Sequence, residues 1–190
     1  MQKIFVGKDQ EKVIPIFWLG DKNVLQEQEI ILAAPGAKII LLGLLFGLGQ
    51  SQFATKTKIV HAASNTVSQT IFKGVLKDYS QINFDGLVKI DKGATGANAY
   101  MSAKFLLLSD QAKARAVPSL EIDENEVVCG HAAAVGKIDQ EQLFYLMSRG
   151  LSRSLAVKQI VKGFFIDVAG FLPDGIKLQD FSQQVAKSIN

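Results

Sequence analysis

The sequence predicts a mainly β protein that carries a helical segment at its C-terminal end. Up to about residue 137, short apolar or alternating runs are broken by Gly, Pro, Asn, Asp and Ser, which is typical of strands and turns. After Ile138 the apolar residues recur at helical spacing instead. The chain has 190 residues, 48% of them hydrophobic and 21% charged, a composition that excludes a disordered chain. We therefore expect a β domain over residues 1–137 and a helical subdomain over residues 138–190.

The clearest strand is Gln81–Ile90, where apolar and polar residues alternate so that one face is buried. Turn residues at Gly20-Asp21, Ala63-Ser64-Asn65 and Lys92-Gly93 separate further runs of strand character, which are Val13–Leu19, Thr55–Val60, Val67–Val75, Lys104–Leu108, Leu120–Ile122 and Val127–Cys129. No repeat with a clear consensus is visible. Spacing alone therefore leaves both a β-sandwich and an irregular β-helix open.

One apolar segment, Ile30–Gly49, has about the 20 residues that a membrane span needs. The turn dipeptide Pro35-Gly36 and the charged Lys38 divide it into two pieces of strand length. We predict two buried strands here and no membrane span.

Three helices are expected in the C-terminal segment. Asp139 is a candidate N-cap, with Gln142 placed to complete a capping box, and Gly150 is a candidate stop. Ser152 begins a second helix, which Pro173-Asp174-Gly175 would end. The apolar residues of this second helix are Val157, Ile160, Val161, Phe164 and Val168, and those of a short third helix are Phe181, Val185 and Ile189.

Charge and motifs exclude several classes of function. There are 21 basic and 18 acidic residues, scattered without a basic block, so no footprint for nucleic acid is present. The phosphate-binding loop G-x-x-x-x-G-K-[ST], the G-x-S-x-G motif and the H-E-x-x-H motif are all missing. The single cysteine excludes an intrachain disulfide, and the N-terminus reaches charge too early for a signal peptide. We expect a cytoplasmic protein that is not an enzyme.

The most informative local feature is Cys129-Gly130-His131. In an extended strand the first and third residues share a face, so a thiol and an imidazole would lie side by side, and both are ligand types suited to iron–sulfur or zinc chemistry. They are two of the about four ligands that a tetrahedral site needs, so a metal here would be shared with another chain or be transient. The alternative is that Cys129 packs as a small hydrophobe. His61 is interpreted as a hydrogen-bonded structural histidine.

The same stretch carries a resemblance to a known family. The blocks Val128–Asp139 and Gln142–Leu151, and upstream of them Ile59–Thr66, Phe72–Leu76, Phe84–Gly86, Leu106–Ser109 and Pro118–Ile122, are similar in order and spacing to the core of the SufB/SufD family of iron–sulfur cluster assembly proteins. The likeness runs from about residue 43 to about residue 165. It implies a right-handed parallel β-helix flanked by helices.

The resemblance also implies a function and partners. The chain would be a non-catalytic subunit that pairs through its β-helix with a SufB-like scaffold paralogue or with itself, and that holds a transient iron–sulfur cluster shared between subunits. It looks more like SufD than SufB, because Ala103 lies near the position of a scaffold cysteine and Ala132 replaces a scaffold glutamate. His131 matches the histidine of the shared cluster site, and Cys129 lies beside it.

In the family, the C-terminal helices dock a SufC-like ABC ATPase. The resemblance assigns this role here to the helical segment, with Leu143, Phe144, Tyr145, Arg149 and Gly150 as docking residues. Ala132-Ala133-Ala134 departs from the Gly-Ala-Thr that usually follows the family histidine, so polar groups are lost around His131. The alternative is thus a structural dimerisation module that has lost cluster handling.

Overall fold

A computed structural model of the chain describes residues 1–20, 22–173, 175–176 and 178–189. Asp21 and Asp174, which belong to two of the predicted turns, lie outside the described residues, as does Asn190 at the end of the predicted helical subdomain. The strands are β1 (Gln2–Val6), β2 (Glu11–Gly20), β3 (Val24–Leu32), β4 (Lys38–Gly47), β5 (Gln52–His61), β6 (Val67–Leu76), β7 (Gln81–Ile90), β8 (Asn98–Leu107), β9 (Lys113–Ile122) and β10 (Val128–Lys137). They are followed by the helices α1 (Gln140–Ser148), α2 (Arg153–Ile166) and α3 (Leu178–Ser188), with a short 3-10 turn at Ala169–Phe171.

Successive strands alternate between two parallel sheets. The first sheet has the order β1-β3-β5-β7-β9 and the second has the order β2-β4-β6-β8-β10, so each pair of strands forms one of about five turns of a β-solenoid. Every strand pairing is parallel. The predicted β-helix is confirmed, and the β-sandwich, which is built from antiparallel sheets, is excluded.

The register between neighbouring strands shows a structural repeat that has no consensus in the sequence. Lys38, Val67 and Asn98 lie side by side in neighbouring strands, so successive turns differ in length and no fixed period exists. A second regularity lies in the turns between the sheets, where a residue with positive φ recurs once per solenoid turn, at Asp9, Gly36, Asn65 and Gly96. Asp, Asn and Gly adopt this left-handed conformation at the least cost.

These turns are joined to each other by the backbone. The N–H of Asp9 donates to the carbonyl of Pro35, and the N–H of Asn65 donates to the carbonyl of Thr95. Gly36 donates in the same way to the carbonyl of Ser64. This ladder satisfies polar groups that a solenoid turn would otherwise leave unpaired.

The solenoid interior is a closely packed apolar core. Phe72 and Phe84 pack with their ring centroids 4.7 Å apart, and Gly43 lies beneath Phe72, where a Cβ atom would approach the ring to 2.3 Å. The largest fully buried side chains of this core are Ile30, Leu32, Ile39, Leu41, Leu45, Phe53, Phe72 and Phe84.

A second core fixes the helices to the outer face of the second sheet. The outward side chains of β4 and β6 pack against α2, α3 and the segments that follow them, through Leu42, Leu44, Phe46, Ile71, Val75, Val161, Phe165, Val168, Phe181, Val185 and Ile189. Strand β4 is therefore buried on both faces, which explains why its sequence is continuously apolar. The Ile30–Gly49 segment forms the end of β3, a turn and β4, and none of the described helices is long and apolar enough to cross a membrane.

The outer face of the first sheet, in contrast, is open to solvent and carries ion pairs between neighbouring strands. Glu29 lies between Lys3 and Lys58, at 3.1 and 3.0 Å. The guanidinium of Arg115 is 2.7 Å from Asp85. This alternation of charge is typical of a solvated sheet face, so the candidate site has to be sought elsewhere.

The helix termini agree with the sequence at their starts and differ at one end. The Asp139 carboxylate accepts from the N–H groups of Glu141 and Gln142, and the Ser152 hydroxyl accepts from the N–H of Leu155. The predicted second helix was too long, because α2 ends at Ile166 and Val168 lies beyond it. The strand predicted to end at Cys129 was too short, since Gly- and Ala-rich β10 gives little strand signal of its own.

Strand β10 ends at Lys137 and α1 begins at Gln140. The division of the chain into a β domain and a helical subdomain stays a prediction, because α2 and α3 share a core with the second sheet.

Candidate functional site

The C-terminal end of the solenoid is open. Strand β9 is the edge of the first sheet and β10 is the edge of the second, and most residues of β10 are exposed. Ile122 and Val135, near the ends of the two strands, are 42% and 44% exposed. An end of this kind presents apolar side chains and unpaired backbone groups together.

The free edge of β10 is defined by its pairing with β8. The N–H of Val128 donates to the carbonyl of Ala97, so Val128 and every second residue after it pair with β8. Because backbone groups alternate in direction along a parallel strand, the residues between them turn their N–H and C=O groups outward. These residues are Cys129, His131, Ala133, Val135 and Lys137. Such a row is a template for pairing with another strand.

The other edges of the solenoid are protected. The N–H groups of Lys113 and Asp123 donate to the carbonyls of Ser80 and Ile90, so the odd-numbered residues of β9 direct their backbone groups toward β7. The even-numbered residues direct theirs away from β7, and the nitrogen of Pro118 therefore lies at the free edge of β9. The carbonyl of Gln10 accepts from the N–H of Lys38, so the even-numbered residues of β2 direct their backbone groups toward β4. Pro15 is odd-numbered, and its nitrogen therefore lies at the free edge of β2. Strand β1 has only five residues. Among the described strands, β10 is the one ten-residue edge without a proline.

Cys129 and His131 lie on this edge, and their side chains are on the face of β10 that continues the solenoid interior. Cys129 is in register with Ala99 and His131 with Met101, and both of those residues are fully buried in the interior core. The expected shared face is confirmed. Cys129 is half-buried and packs against that core, and His131 is exposed.

The chemistry of this pair is limited when the chain is alone. Burial raises the pKa of the Cys129 thiol, with a smaller opposing contribution from a hydrogen bond with the Gly130 backbone, so the protonated form, which is a weak ligand, is favoured. Within the part of the chain that the structure describes, no group of three or more His, Cys, Asp or Glu side chains is placed to hold a metal ion. The chain thus brings two ligand types to its open edge.

His61 is not part of this edge. It is fully buried, and its ring nitrogens lie 2.8 Å from Thr66 Oγ1 and 2.7 Å from Ser68 Oγ. Because Thr66 Oγ1 donates to the carbonyl of Ala63, it accepts from Nδ1–H, and Ser68 donates to Nε2. Burial lowers the pKa of His61 to about 4. These contacts agree with the interpretation of His61 as a structural histidine.

The positions that separate the two paralogues by sequence lie close to the pair. Ala103 is fully buried in the interior and in register with Ala133. Ala132 is in register with Ser102 on the outer side of β8. Sequence reasoning did not find Met101, whose buried thioether lies one strand below His131. The feature of the sequence that could have indicated Met101 is its separation from His131, which equals one turn of the solenoid.

The residues assigned to docking lie on and after α1. Phe144 and Tyr145 are 73% and 56% exposed, and the guanidinium of Arg149 lies 5.2 Å from the centroid of the Tyr145 ring. Gly150 ends the helix with φ +92°. Leu143, in contrast, is 2% exposed, so it holds α1 in place and the free surface consists of its neighbours.

The described residues thus form a parallel β-solenoid with one unprotected edge strand, helices on one face and a Cys-Gly-His sequence at the open edge. The family model described as "SUF system FeS cluster assembly, SufBD core domain" matches residues 3–164. The chain belongs to the SufBD family of the SUF system for iron–sulfur cluster assembly. The match begins about 40 residues earlier than the sequence resemblance, at β1.

Curated relatives agree with this assignment. The chain is 34% identical over 174 residues to the iron–sulfur cluster assembly protein SufD of Bacillus subtilis, which covers 91% of this chain and 40% of the relative. It is 35% identical over 156 residues to SufBD family proteins of Mycobacterium leprae and Staphylococcus saprophyticus, covering 82% of this chain and 18% and 33% of those relatives. The chain therefore spans less than half the length of each of these relatives.

Proposed function

We propose that this protein is a SufD-like, non-catalytic subunit of a cytoplasmic iron–sulfur cluster assembly complex. Membership of the SufBD family supports the role in cluster assembly. The observation that carries the proposal is the free edge of β10, because it joins an unpaired backbone to the two candidate ligands Cys129 and His131.

Pairing takes place through this edge. The partner is a SufB-like scaffold paralogue or a second copy of the chain, whose own edge strand adds to β10. Eight of the ten residues of β10 are small or apolar, the exceptions being His131 and Lys137, and this composition allows close approach of another strand. The prolines on β2 and β9 leave this edge as the favoured one.

The cluster is cargo, held for a short time between subunits. Cys129 and His131 supply two ligands, and the paired strand supplies the others. His131 is exposed before pairing, so it is available to iron without local unfolding. Cys129 requires loss of its proton, which the approach of a cation favours.

The docking surface for a SufC-like ATPase is the outer side of α1. Phe144 and Tyr145 are large, exposed aromatic side chains next to Arg149, and aromatic residues with Arg are enriched at the centres of protein interfaces. Because α1 follows β10 after two residues, docking there is close to the cluster edge.

Two observations favour a second function, a structural dimerisation module without cluster handling. The residues after His131 are Ala132-Ala133-Ala134, and the pKa of the Cys129 thiol is raised by burial. Pairing through β10 would be retained in this case, and cluster ligation would be absent.

The test is light scattering on a sizing column, for the chain alone and mixed with the ATPase and scaffold subunits of the same organism. A mixed complex is the expected result. The mixed complex is then reconstituted anaerobically with iron and sulfide, as wild type and as His131→Ala. Cluster absorbance that falls in the variant, with the complex intact, supports the assembly role. A homodimer that binds neither subunit and stays colourless establishes the dimerisation module instead.

A further inference from the structure

A cavity of about 710 Å³ lies between the solenoid and the helices, at the end of β10 that is farthest from Cys129. Its walls come from the turn after β8, the end of β10, the buried side of α1 and the first turns of α2. The apolar lining residues are Leu107, Leu108, Ile138, Leu143, Val157 and Ile189. The volume falls within the range of small-molecule sites.

The charge that lines this cavity is unbalanced. Lys77, Lys137 and Arg153 line it, and Asp110 is the single carboxylate among its described lining residues. The ammonium of Lys137 lies 2.6 Å from Asp110, so that pair is neutral. Lys77 donates to the backbone carbonyl of Ser188 at 3.2 Å and forms no ion pair with a carboxylate of the described residues. Lys77 and Arg153 therefore contribute two cations without a matching carboxylate among the described residues that line the cavity.

Neutral donors complete the lining. Ser109, Gln111, Gln140 and Ser154 have hydroxyl or amide groups there. The first turn of α2 carries no acidic side chain, so the partial positive charge of the helix start is added to that of Arg153.

The neighbouring cavity, of about 660 Å³, shows the contrast. It is lined by Lys73, Lys104 and Lys137, but also by Asp139 and Asp167, and Lys73 is bound directly to Asp167. Three cations face two carboxylates in that cavity, against three and one in the larger cavity. The excess of positive charge is thus greater in the larger cavity than in this neighbour.

We propose that the larger cavity binds a phosphate-type oxyanion, either free or as part of a small phosphorylated ligand. The planar guanidinium of Arg153 contacts two oxygens of the anion, and Lys77 adds a point charge. Lys137 joins them if its exposed pair with Asp110 opens, which costs little. Neither Cys129 nor His131 lines this cavity, so the site is separate from the candidate cluster ligands.

The test uses the chain alone and follows backbone amide shifts by NMR during titration with inorganic phosphate, pyrophosphate and sodium chloride at matched ionic strength. We expect saturable shifts for amides around Arg153 and Gln111 with the two phosphates and none with chloride. Tighter binding of pyrophosphate indicates a phosphorylated ligand, and equal binding indicates a single oxyanion.

Two cavity variants and one control variant make the test specific. Arg153→Gln should weaken binding about tenfold, as expected for loss of a charge-assisted bidentate contact, and Lys77→Gln should also weaken it. Lys162→Gln, on the same helix but outside this cavity, should leave it unchanged. Circular dichroism checks that each variant is folded. Shifts that do not saturate, or equal losses in Arg153→Gln and Lys162→Gln, would overturn the proposal.

Discussion

The ammonium of Lys73, on β6, lies 2.5 Å from the carboxylate of Asp167 at the end of α2, and it also donates to the carbonyl of Phe164 at 2.6 Å. The same Nζ atom is 4.8 Å from the centroid of the Phe164 ring. The Lys73 side chain is 6% exposed. One buried lysine therefore ties the end of α2 to the outer face of the second sheet.

Replacing Lys73 should loosen this attachment. Lys73→Ala removes the packed stem and all three contacts, and we expect a loss of about 2 to 3 kcal/mol in the free energy of unfolding, measured by urea denaturation. Lys104→Ala is the matched control, since Lys104 is in register with Lys73 on the next strand but is exposed. It should change the free energy by less than about 0.5 kcal/mol. Equal effects of the two variants would show that the contacts of Lys73 contribute nothing.

His61 should make the stability depend on pH. Its pKa is about 4 in the folded chain and about 6.5 when unfolded, so the unfolded chain binds the proton more tightly. The stability is then complete above about pH 6.5 and is lost as the pH falls toward 4, by an amount on the order of 3 kcal/mol. Urea denaturation between pH 4.5 and 7.5 measures this slope.

The variant that tests the assignment is His61→Gln, which removes the titrating ring and should flatten the curve in this window. His131→Gln changes the exposed histidine and serves as the comparison. A slope that persists in His61→Gln, or that disappears in His131→Gln, would assign the pH dependence to other groups.

Gly43 should resist even the smallest side chain. An added Cβ would lie 2.3 Å from Cδ1 of Phe72, inside the core, so Gly43→Ala forces the ring to move and should cost about 1 to 3 kcal/mol. Gly136→Ala is the control, because no atom lies within 4 Å of the added Cβ. The double variant Gly43→Ala, Phe72→Leu should lose less free energy of unfolding than the sum of the two single variants, because the smaller Leu relieves the clash. Thermal or urea denaturation of the four proteins measures this difference. Additive losses would place the strain elsewhere.

How much of this molecule the sequence predicts depends on the strength of the local signal. The sequence predicts the strand Gln81–Ile90, because a strand with one buried face alternates apolar and polar residues. It also predicts the caps at Asp139 and Ser152, because an unpaired N–H group at a helix start requires a side-chain acceptor. The solenoid period could not be predicted from the sequence, because the turns differ in length and only the left-handed positions, such as Asp9 and Asn65, repeat. Those positions become a signal only when the register is known.

The candidate site shows the same limit. The adjacency of Cys129 and His131 follows from strand geometry alone. The importance of their edge does not, because it depends on which backbone groups are already paired with β8. The roles of Pro15 and Pro118 at the other edges are likewise visible only from the register.

The last prediction concerns the free edge itself. In Ala133→Pro the lost N–H is one that faces outward and has no partner among the residues that the structure describes, so the monomer should remain folded. Pairing through β10 should be abolished, because the ring removes a donor and blocks the approach of another strand. Light scattering gives the oligomeric state, and circular dichroism confirms the fold.

Ala134→Pro is the matched control one residue away. Its N–H faces β8 according to the pairing that begins at Val128 and Ala97, so this variant should lose about 3 kcal/mol of stability through the broken ladder. A dimer that survives Ala133→Pro would show that pairing uses another surface. Equal destabilisation by the two prolines would show that the backbone phase assigned to β10 is wrong.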